Sequence, residues 1–506
     1  MSGNKKKIFG DYQTPIDFCK NICDYIKNII PFYPDIIIEP TCGIGNFLFS
    51  ASECFHESKL IGIEINNEYL QKVHELLRNK NFVLENKNIF DFSASKFRKK
   101  NVLILGNPPW VTNSYLAKTS ANNTLQKRNL KNLRGIDAIT GSANFDICES
   151  IILKLIDDLK YNNTFVALLC KTSVARNVYK EIVKRNIPFD IARIVKFDSK
   201  KVWNVSVDAG LFILNLSTNT TAKTNLEIFN IDSNALLGTF HLNSKGEFIS
   251  SSRNEKLNLD GVCCFEWRQG LKHDCANIME LKLMDNSFFN NIGDKVEIED
   301  SLIYPLFKSS SFKEPILVSS KKYVIVTQKR VNEDTSIIKL STPRTWNYLI
   351  SKENFFKNRK SVVYKKSPPF SIFGIGEYSF AKYKVGISGF YKKPYFSLIT
   401  TPKPGMLDDT CYFLAFDTYN DAYVCMLLLN SDAVKNFLED ISFKDSKRPF
   451  SKKVLERLDF QKILKYISFE ELQRVEVSLK IPKFINIFMY DSFKSLTEKH
   501  QLLLQF

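Results

Sequence analysis

The chain has 506 residues, 44% hydrophobic and 13% aromatic, with 71 Lys and Arg against 54 Asp and Glu for a formal charge of +17. That is ample apolar material for a core and enough length for two or three domains, and the positive excess favours a polyanionic partner through release of phosphate counterions. No stretch approaches the roughly 18 apolar residues of a membrane helix, and the basic opening MSGNKKKIFGDYQTP lacks the apolar segment of a signal peptide, so nothing points to secretion or a membrane span and a cytoplasmic protein is expected.

Eleven cysteines include no CxxC pair, and Cys19/Cys23 and Cys263/Cys264 have no His or Cys partners at finger-like spacing. They read as reduced core thiols, with Cys19 and Cys23 on one helix face and no metal site expected.

From about residue 15 to 215, short β-branched runs alternate with amphipathic stretches, the pattern of a parallel sheet covered by helices. The predicted strands are Asp35–Ile38, Leu60–Glu64, Val83–Leu84, Val102–Leu105, Phe165–Leu169, Ile191–Phe197 and Gly210–Leu216. Seven strands with intervening helices predict an α/β fold with a mostly parallel seven-stranded, doubly wound sheet.

The first strand runs into IIIEPTCGIGNFLFSA, ending at Glu39 and Pro40, turning through Gly43 and Gly45, and entering a helix near Phe47. The two glycines let the backbone turn sharply and approach a ligand at the carboxyl edge of the sheet. The second strand, LIGIEIN, ends at Glu64, placed to accept hydrogen bonds from both hydroxyls of a ribose. Taken singly, such an acid is more often a solvated loop residue; jointly, at three successive strand ends, such acids favour function. A third, Asp91 in NIFDF, stands where it can accept from an adenine amino group, and the turn lacks the full GxGxxG fingerprint. Those two features favour S-adenosylmethionine over a dinucleotide, with Glu39 or nearby carbonyls to take the methionine ammonium.

The fourth strand reads NVLILGNPPWVTNS. A rigid Pro-Pro turn with an aromatic plug is one reading of it. The other is catalytic. An exocyclic amine is a poor nucleophile because its lone pair is delocalised into the ring. The Asn107 side-chain oxygen and the Pro108 carbonyl, held by the stiff Pro108-Pro109 geometry, can accept hydrogen bonds from its two N–H groups and favour a tetrahedral nitrogen. Trp110 would stack on the base once flipped from the duplex. A sulfonium is already a good leaving group, so neither a strong base nor a metal is required.

Polar stretches at 217–225 and 243–256 predict a boundary and an exposed loop, with residues 219–260 as a connecting segment. Beyond Gly261 the rhythm changes to short strands such as Tyr323–Thr327, Ser361–Tyr364 and Cys411–Phe416, a mixed α+β domain over 261–453. A helical segment, 454–506, follows, with Ser468 and Glu471 placed as a capping box. Lys357, Arg359, Lys360, Lys365 and Lys366, and Lys382, Lys384, Lys392 and Lys393 among Tyr383, Phe390, Tyr391 and Tyr395, suit phosphate contact or a solvated sheet edge alike. His273-Asp274 beside Cys275 lacks the further ligands of a metal site and reads as a loop or a DNA-facing element.

The order of these motifs over residues 10 to 216 resembles the gamma class of amino-DNA methyltransferases, whose prototype is the Taq adenine methyltransferase. Tyr12-Gln13-Thr14-Pro15 stands in place of the segment that closes over the methionine part of the cofactor. Glu39 to Gly45 resembles the cofactor loop, Glu64 the ribose acid with Ile65 beside the adenine, Asp91-Phe92 the adenine pair, and Asn107 to Trp110 the NPP-aromatic catalytic motif. Trp110 replaces the prototype's Tyr, keeping the stacking and losing a hydroxyl. Asn144-Phe145-Asp146 and Lys201-Val202-Trp203 match more loosely, and Trp203 is either a second base-stacking aromatic or a strand-edge core residue. WRQGLKHDC (267–275) and LDDTCYF (407–413) resemble segments of restriction-associated methyltransferases.

The resemblance implies a Rossmann-like class I methyltransferase domain over 1–218 and a target-recognition domain after it. It implies S-adenosylmethionine as cofactor, double-stranded DNA as partner and adenine N6 as acceptor. The role would be the modification half of a restriction-modification system with a separately encoded restriction endonuclease. Cytosine-N4 methylation stays open, as do an RNA or protein-glutamine substrate and a DNA-binding subunit with an inactive methyltransferase fold.

Overall fold

The computed structural model describes residues 13–111, 146–205, 207–216, 225–251, 258–444 and 446–503. The chain divides into two compact units, Met1–Ser252 and Arg253–Phe506.

The first unit opens with α1 (Ile16–Lys27), whose Cys19, Ile22, Cys23 and Ile26 recur at helical spacing and are all buried. The alternation that follows is β1 (Ile36–Glu39), α2 (Asn46–Cys54), β2 (Lys59–Glu64), α3 (Asn67–Leu76), β3 (Phe82–Asn86) and β4 (Val102–Gly106). Then come α4 (Ile147–Leu159), β5 (Thr164–Lys171), α5 (Thr172–Lys184), β6 (Phe189–Lys196), the short α6 (Ser199–Trp203) and β7 (Ala209–Leu216). All seven predicted strands are present. β1 and β4 are buried along their whole length, as strands covered by helices on both faces must be. β7 runs antiparallel to both β5 and β6, so six of the seven share one direction.

The sheet is larger than predicted. Residues expected as a connecting segment supply β8 (Leu226–Asn230), β9 (Leu236–Leu242) and β10 (Phe248–Ser250), and the ten strands lie in the order β10-β9-β8-β6-β7-β5-β4-β1-β2-β3. Of the two polar stretches, 243–247 is the turn between β9 and β10, while 217–224 and 252–257 lie outside the described residues. Asn230 Oδ1 accepts from the amides of Asp232 and Ser233, and Asn243 Oδ1 from those of Lys245 and Glu247, each an Asx turn. β8 is secured to β6 by Arg193, whose guanidinium lies 2.7 Å from Glu227.

β1 and β4 are neighbours, yet the chain leaves β1 towards β2 and leaves β4 towards β5. Loops at the carboxyl ends of these two strands therefore diverge and leave a crevice, the place where open α/β sheets bind ligands. Both motifs singled out in the sequence sit there.

The second unit has two sheets. One orders its strands Arg268–Gln269, Cys411–Phe416, Tyr383–Ser388, Phe396–Thr400, Ile316–Leu317; the other Lys295–Val296, Ser287–Asn290, Glu280–Met284, Lys322–Ile325, Ile303–Phe307, Met406–Leu407. The fragments WRQGLKHDC and LDDTCYF come together here, with Arg268 opposite Phe413, Gln269 opposite Tyr412 and Leu271 bridged to Asp408. The C-terminal helices belong to this unit's core. Phe460, Leu472 and Phe493 pack in one cluster with Trp267 and the helix Tyr419–Asn430. Ser468 accepts from the Glu471 amide at 3.3 Å, the backbone half of the expected box.

Three expectations for this unit change. Ser361–Tyr364 is no strand: Val362–Lys366 is a 3-10 turn, because Tyr364 folds inward, its hydroxyl on the Lys272 carbonyl and its ring under the Arg359 guanidinium at 3.7 Å. Arg359 gives its donors to the carbonyls of His273 and Ser371, and Lys384 is buried with Nζ on the Ala381 carbonyl, so neither faces phosphate. His273 is buried with Nε2 3.6 Å from Glu280, a carboxylate that Lys308 also pairs at 2.7 Å. Burial works against the charge on Glu280, but the hydrogen bonds from His273 and Lys308 outweigh it and hold the carboxyl down at about 2.

Candidate active site

The loop after β1 turns through Gly43 and Gly45, at φ +53° and +85°, conformations that favour glycine. A Cβ on Gly43 would lie 2.6 Å from Gln13 Oε1, which itself accepts from the Ile44 amide at 3.2 Å. The Glu64 carboxylate reaches back to the same loop. Its Oε2 accepts from the Gly43 amide, and its Oε1 from the amides of Ile65 and Asn66, all at 2.9 Å. Three backbone donors thus fix the orientation of this acid.

Thr14 joins the two motifs. Its carbonyl accepts from Asn46 Nδ2 at 2.7 Å, and its hydroxyl accepts from Asn107 Nδ2 at 3.2 Å. The Asn107 amide is thereby oriented with its nitrogen towards Thr14 and Oδ1 on the opposite side. Gly106, at φ +143°, brings the end of β4 against Glu39, whose side chain a Cβ there would meet at 3.0 Å.

Glu39 is 3% exposed and accepts from the Leu48 amide at 3.2 Å. Burial pushes its carboxyl well above the usual range, the Leu48 hydrogen bond opposes that, and the nearby Glu64 charge adds to it. An acid whose proton is held more tightly in the folded state loses folding stability as pH rises from its ordinary range towards the raised value. The melting temperature of the cofactor-free wild type is therefore expected to fall as pH rises from the ordinary carboxylate range, and Glu39→Gln to flatten that fall. Equal slopes in the two proteins, measured by thermal melts, would contradict this.

Trp110 is half-buried. Its indole N–H donates to the Leu169 carbonyl at 3.2 Å, and its ring meets Trp203 at 5.2 Å and 85°. Trp203 packs in turn on Phe18 and Phe197, at 6.4 and 5.6 Å. The two indoles are perpendicular and form no parallel slot as placed. Pro108 is buried and Pro109 partly so.

The structure brings Thr14, Glu39, Gly43, Gly45, Glu64 and Asn107 together, with Pro40 buried behind the loop and Ile65 exposed at its rim. Asp91 is an exposed residue of the turn Ile89–Asp91, and Phe92 is buried with its ring 6.5 Å from Phe97. Tyr12, Asn144 and Phe145 lie outside the described residues.

Two participants escaped the sequence reading: Asn46, which with Gln13 braces the glycine loop, and Lys171. Lys171 ends β5, and its Nζ donates to the Trp110 carbonyl at 3.2 Å and to Asp146 Oδ2 at 2.7 Å. A charge closing the apolar run FVALLCK is the same strand-end signal that marked Glu39 and Glu64.

No family model matches the chain. It is 37% identical over 473 residues to the type II methyltransferase M.NspV of Nostoc sp., covering 91% of this chain and 98% of that protein. It is 30% identical over 113 residues to the type II methyltransferase M.CvrRI of Paramecium bursaria Chlorella virus XZ-6E, 22% of this chain and 27% of that protein. Among solved structures, the type IIL restriction-modification enzyme MmeI in complex with DNA matches with a TM-score of 0.57 at 12% identity, covering 99% of this chain and 76% of that one. At that identity the likeness is one of fold.

Proposed function

Because the chain belongs to the type II methyltransferase family, we propose that it methylates the N6 amine of an adenine flipped out of double-stranded DNA, as the modification enzyme of a restriction-modification system with a separately encoded endonuclease. The observation that carries this reading is the double hydrogen bond of Thr14, which joins the Asn107 amide and the glycine loop at one crevice.

The residues fit S-adenosylmethionine. Gly43 and Gly106 keep clear a cradle that a Cβ would crowd, and two carboxylates, Glu39 and Glu64, stand at adjacent strand ends. When bound, the cofactor supplies an electrophilic methyl on a sulfonium, so no metal is needed to activate a leaving group. Glu64, preset by three amides, accepts from the ribose hydroxyls. Glu39 sits where it can balance an ammonium, which would draw off its tightly held proton. Ile65 offers an apolar contact to the adenine of the cofactor, and Asp91 an acceptor for its amino group beside Phe92.

Asn107 Oδ1 and the Pro108 carbonyl accept hydrogen bonds from the two N–H groups of the target amine and localise its lone pair on nitrogen. Pro109 fixes the peptide plane between them and Trp110, and the Trp110 face stacks on the base. The second unit serves as the target-recognition domain. Its support is a basic and aromatic group in which Lys447 and Arg448 lie 5.8 and 5.1 Å from the Phe390 ring and Lys392 donates to the Ser446 carbonyl. Basic residues around an aromatic suit a nucleic-acid backbone.

The test is methyl transfer from labelled S-adenosylmethionine to unmethylated genomic DNA, followed by nucleoside mass analysis. N6-methyladenine is the expected product. N4-methylcytosine would replace the base and keep the mechanism, and no label in DNA despite measured cofactor binding would overturn DNA as substrate.

A further inference from the structure

Lys171 and Asp146 form a compact pair beside the catalytic tetrapeptide. The ammonium is 2.7 Å from Asp146 Oδ2 and 3.2 Å from the Trp110 carbonyl oxygen, while Asp146 Oδ1 accepts from the Cys148 amide and caps α4. The Trp110 indole is tied to β5 as well, through the Leu169 carbonyl. Both the main chain and the side chain of Trp110 are therefore pinned to β5, and between them and β4 only Asn107, Pro108 and Pro109 remain. Two prolines leave that stretch little rotational freedom. Fixing its far end fixes the Pro108 carbonyl.

The charge of the peg matters as much as its reach. Methyl transfer converts a neutral amine into a cation: the carbon–sulfur bond breaks with its electrons going to sulfur, the nitrogen–carbon bond forms, and the extra proton then leaves to water. An unpaired ammonium next to the motif would repel the charge arriving on nitrogen, and in a partly buried site that repulsion is only weakly screened. Asp146 cancels it.

We propose that Lys171 and Asp146 are positioning residues that act as a neutral pair, Lys171 holding the Trp110 carbonyl and Asp146 removing the electrostatic penalty that Lys171 would otherwise impose on the transition state. The inference rests on the reading of Asn107 to Trp110 as the catalytic motif.

The pair predicts an order of variants that a merely structural role does not. Asp146→Asn keeps the helix cap, since Asn caps as well as Asp, and leaves an unpaired ammonium. Lys171→Met keeps the aliphatic stem and leaves a buried carboxylate without its cation. Single-turnover methyl transfer to unmethylated genomic DNA is expected to fall about thirtyfold or more in Asp146→Asn and about tenfold in Lys171→Met. The double variant, lacking both charges, should be faster than Asp146→Asn alone, and Lys171→Arg should recover most of the rate. Cofactor affinity should stay within about threefold throughout, because the pair touches no part of the cofactor loop.

A double variant slower than Asp146→Asn, or an Arg variant as slow as Met, would overturn the inference. So would rates within about twofold of wild type for both single variants. If the wild type itself transfers no methyl to DNA, the reading of the motif fails instead, so the two failures are distinguishable.

Discussion

Asn107→Ala is expected to abolish methyl transfer, lowering the single-turnover rate by about a thousandfold or more while cofactor affinity stays within about tenfold. The asymmetry follows from what the side chain does. Its nitrogen donates to the Thr14 hydroxyl, a contact outside the loop amides that Glu64 organises. Truncation removes one link to Thr14, but Asn46 still holds the Thr14 carbonyl at 2.7 Å, and the glycine loop keeps its shape. The lost interaction is the one made to the reacting amine, and it strengthens as nitrogen becomes tetrahedral. Isothermal titration with the cofactor and rapid-quench methyl transfer check the two halves. Activity near wild type would remove Asn107 from the chemistry, and a large loss of cofactor affinity would move it to the cofactor site.

Gly270→Ala is expected to cost the second unit about 3 kcal/mol or more and to weaken duplex binding while leaving cofactor affinity unchanged. A Cβ at this position would lie 2.1 Å from the Asp408 carbonyl oxygen and 2.4 Å from that of Leu407. Both obstacles are main chain, so no side chain can rotate away. Gly270 also donates to the Cys411 carbonyl at 3.1 Å, and Leu271 to that of Leu407 at 2.7 Å. Relief of the clash must therefore break the seam between the two fragments that the sequence placed 140 residues apart. Differential scanning calorimetry, with a duplex-binding titration alongside, reads both effects. A variant that melts and binds like wild type would show that the seam yields without cost.

Much of the first unit is legible in its residues because strands such as β1 and β4 are short apolar runs between turn signals, and burial on both faces keeps them apolar throughout. Direction is another matter. β5, β6 and β7 read alike, since a strand flanked on both sides needs the same side chains whichever way it points, and only the fold reveals that β7 runs against its neighbours. β8 to β10 were hidden by the polar stretches beside them, because Asn243 carries the same polar signal in a hairpin as in a linker. At the site, acids at strand ends could be read from position. Thr14 could be placed near the cofactor only through the resemblance, and its hydrogen bond with Asn107 spans 93 residues, beyond any local pattern. Lys384 and Arg359 misled for an opposite reason: composition marks them as surface cations, and only packing shows their stems and charges turned inward.

The strands beyond β6 change what can be cut from this protein. In amide hydrogen exchange, β6 should behave as an interior strand, slow to exchange along its length, because β7 covers one side and β8 the other. A catalytic fragment ending at residue 218 would strip β8 away, leave the outer amides of β6 exposed and deprive Arg193 of Glu227. Such a raw edge recruits strands from other chains, so the shortest well-behaved fragment of this unit is one that runs past Ser250.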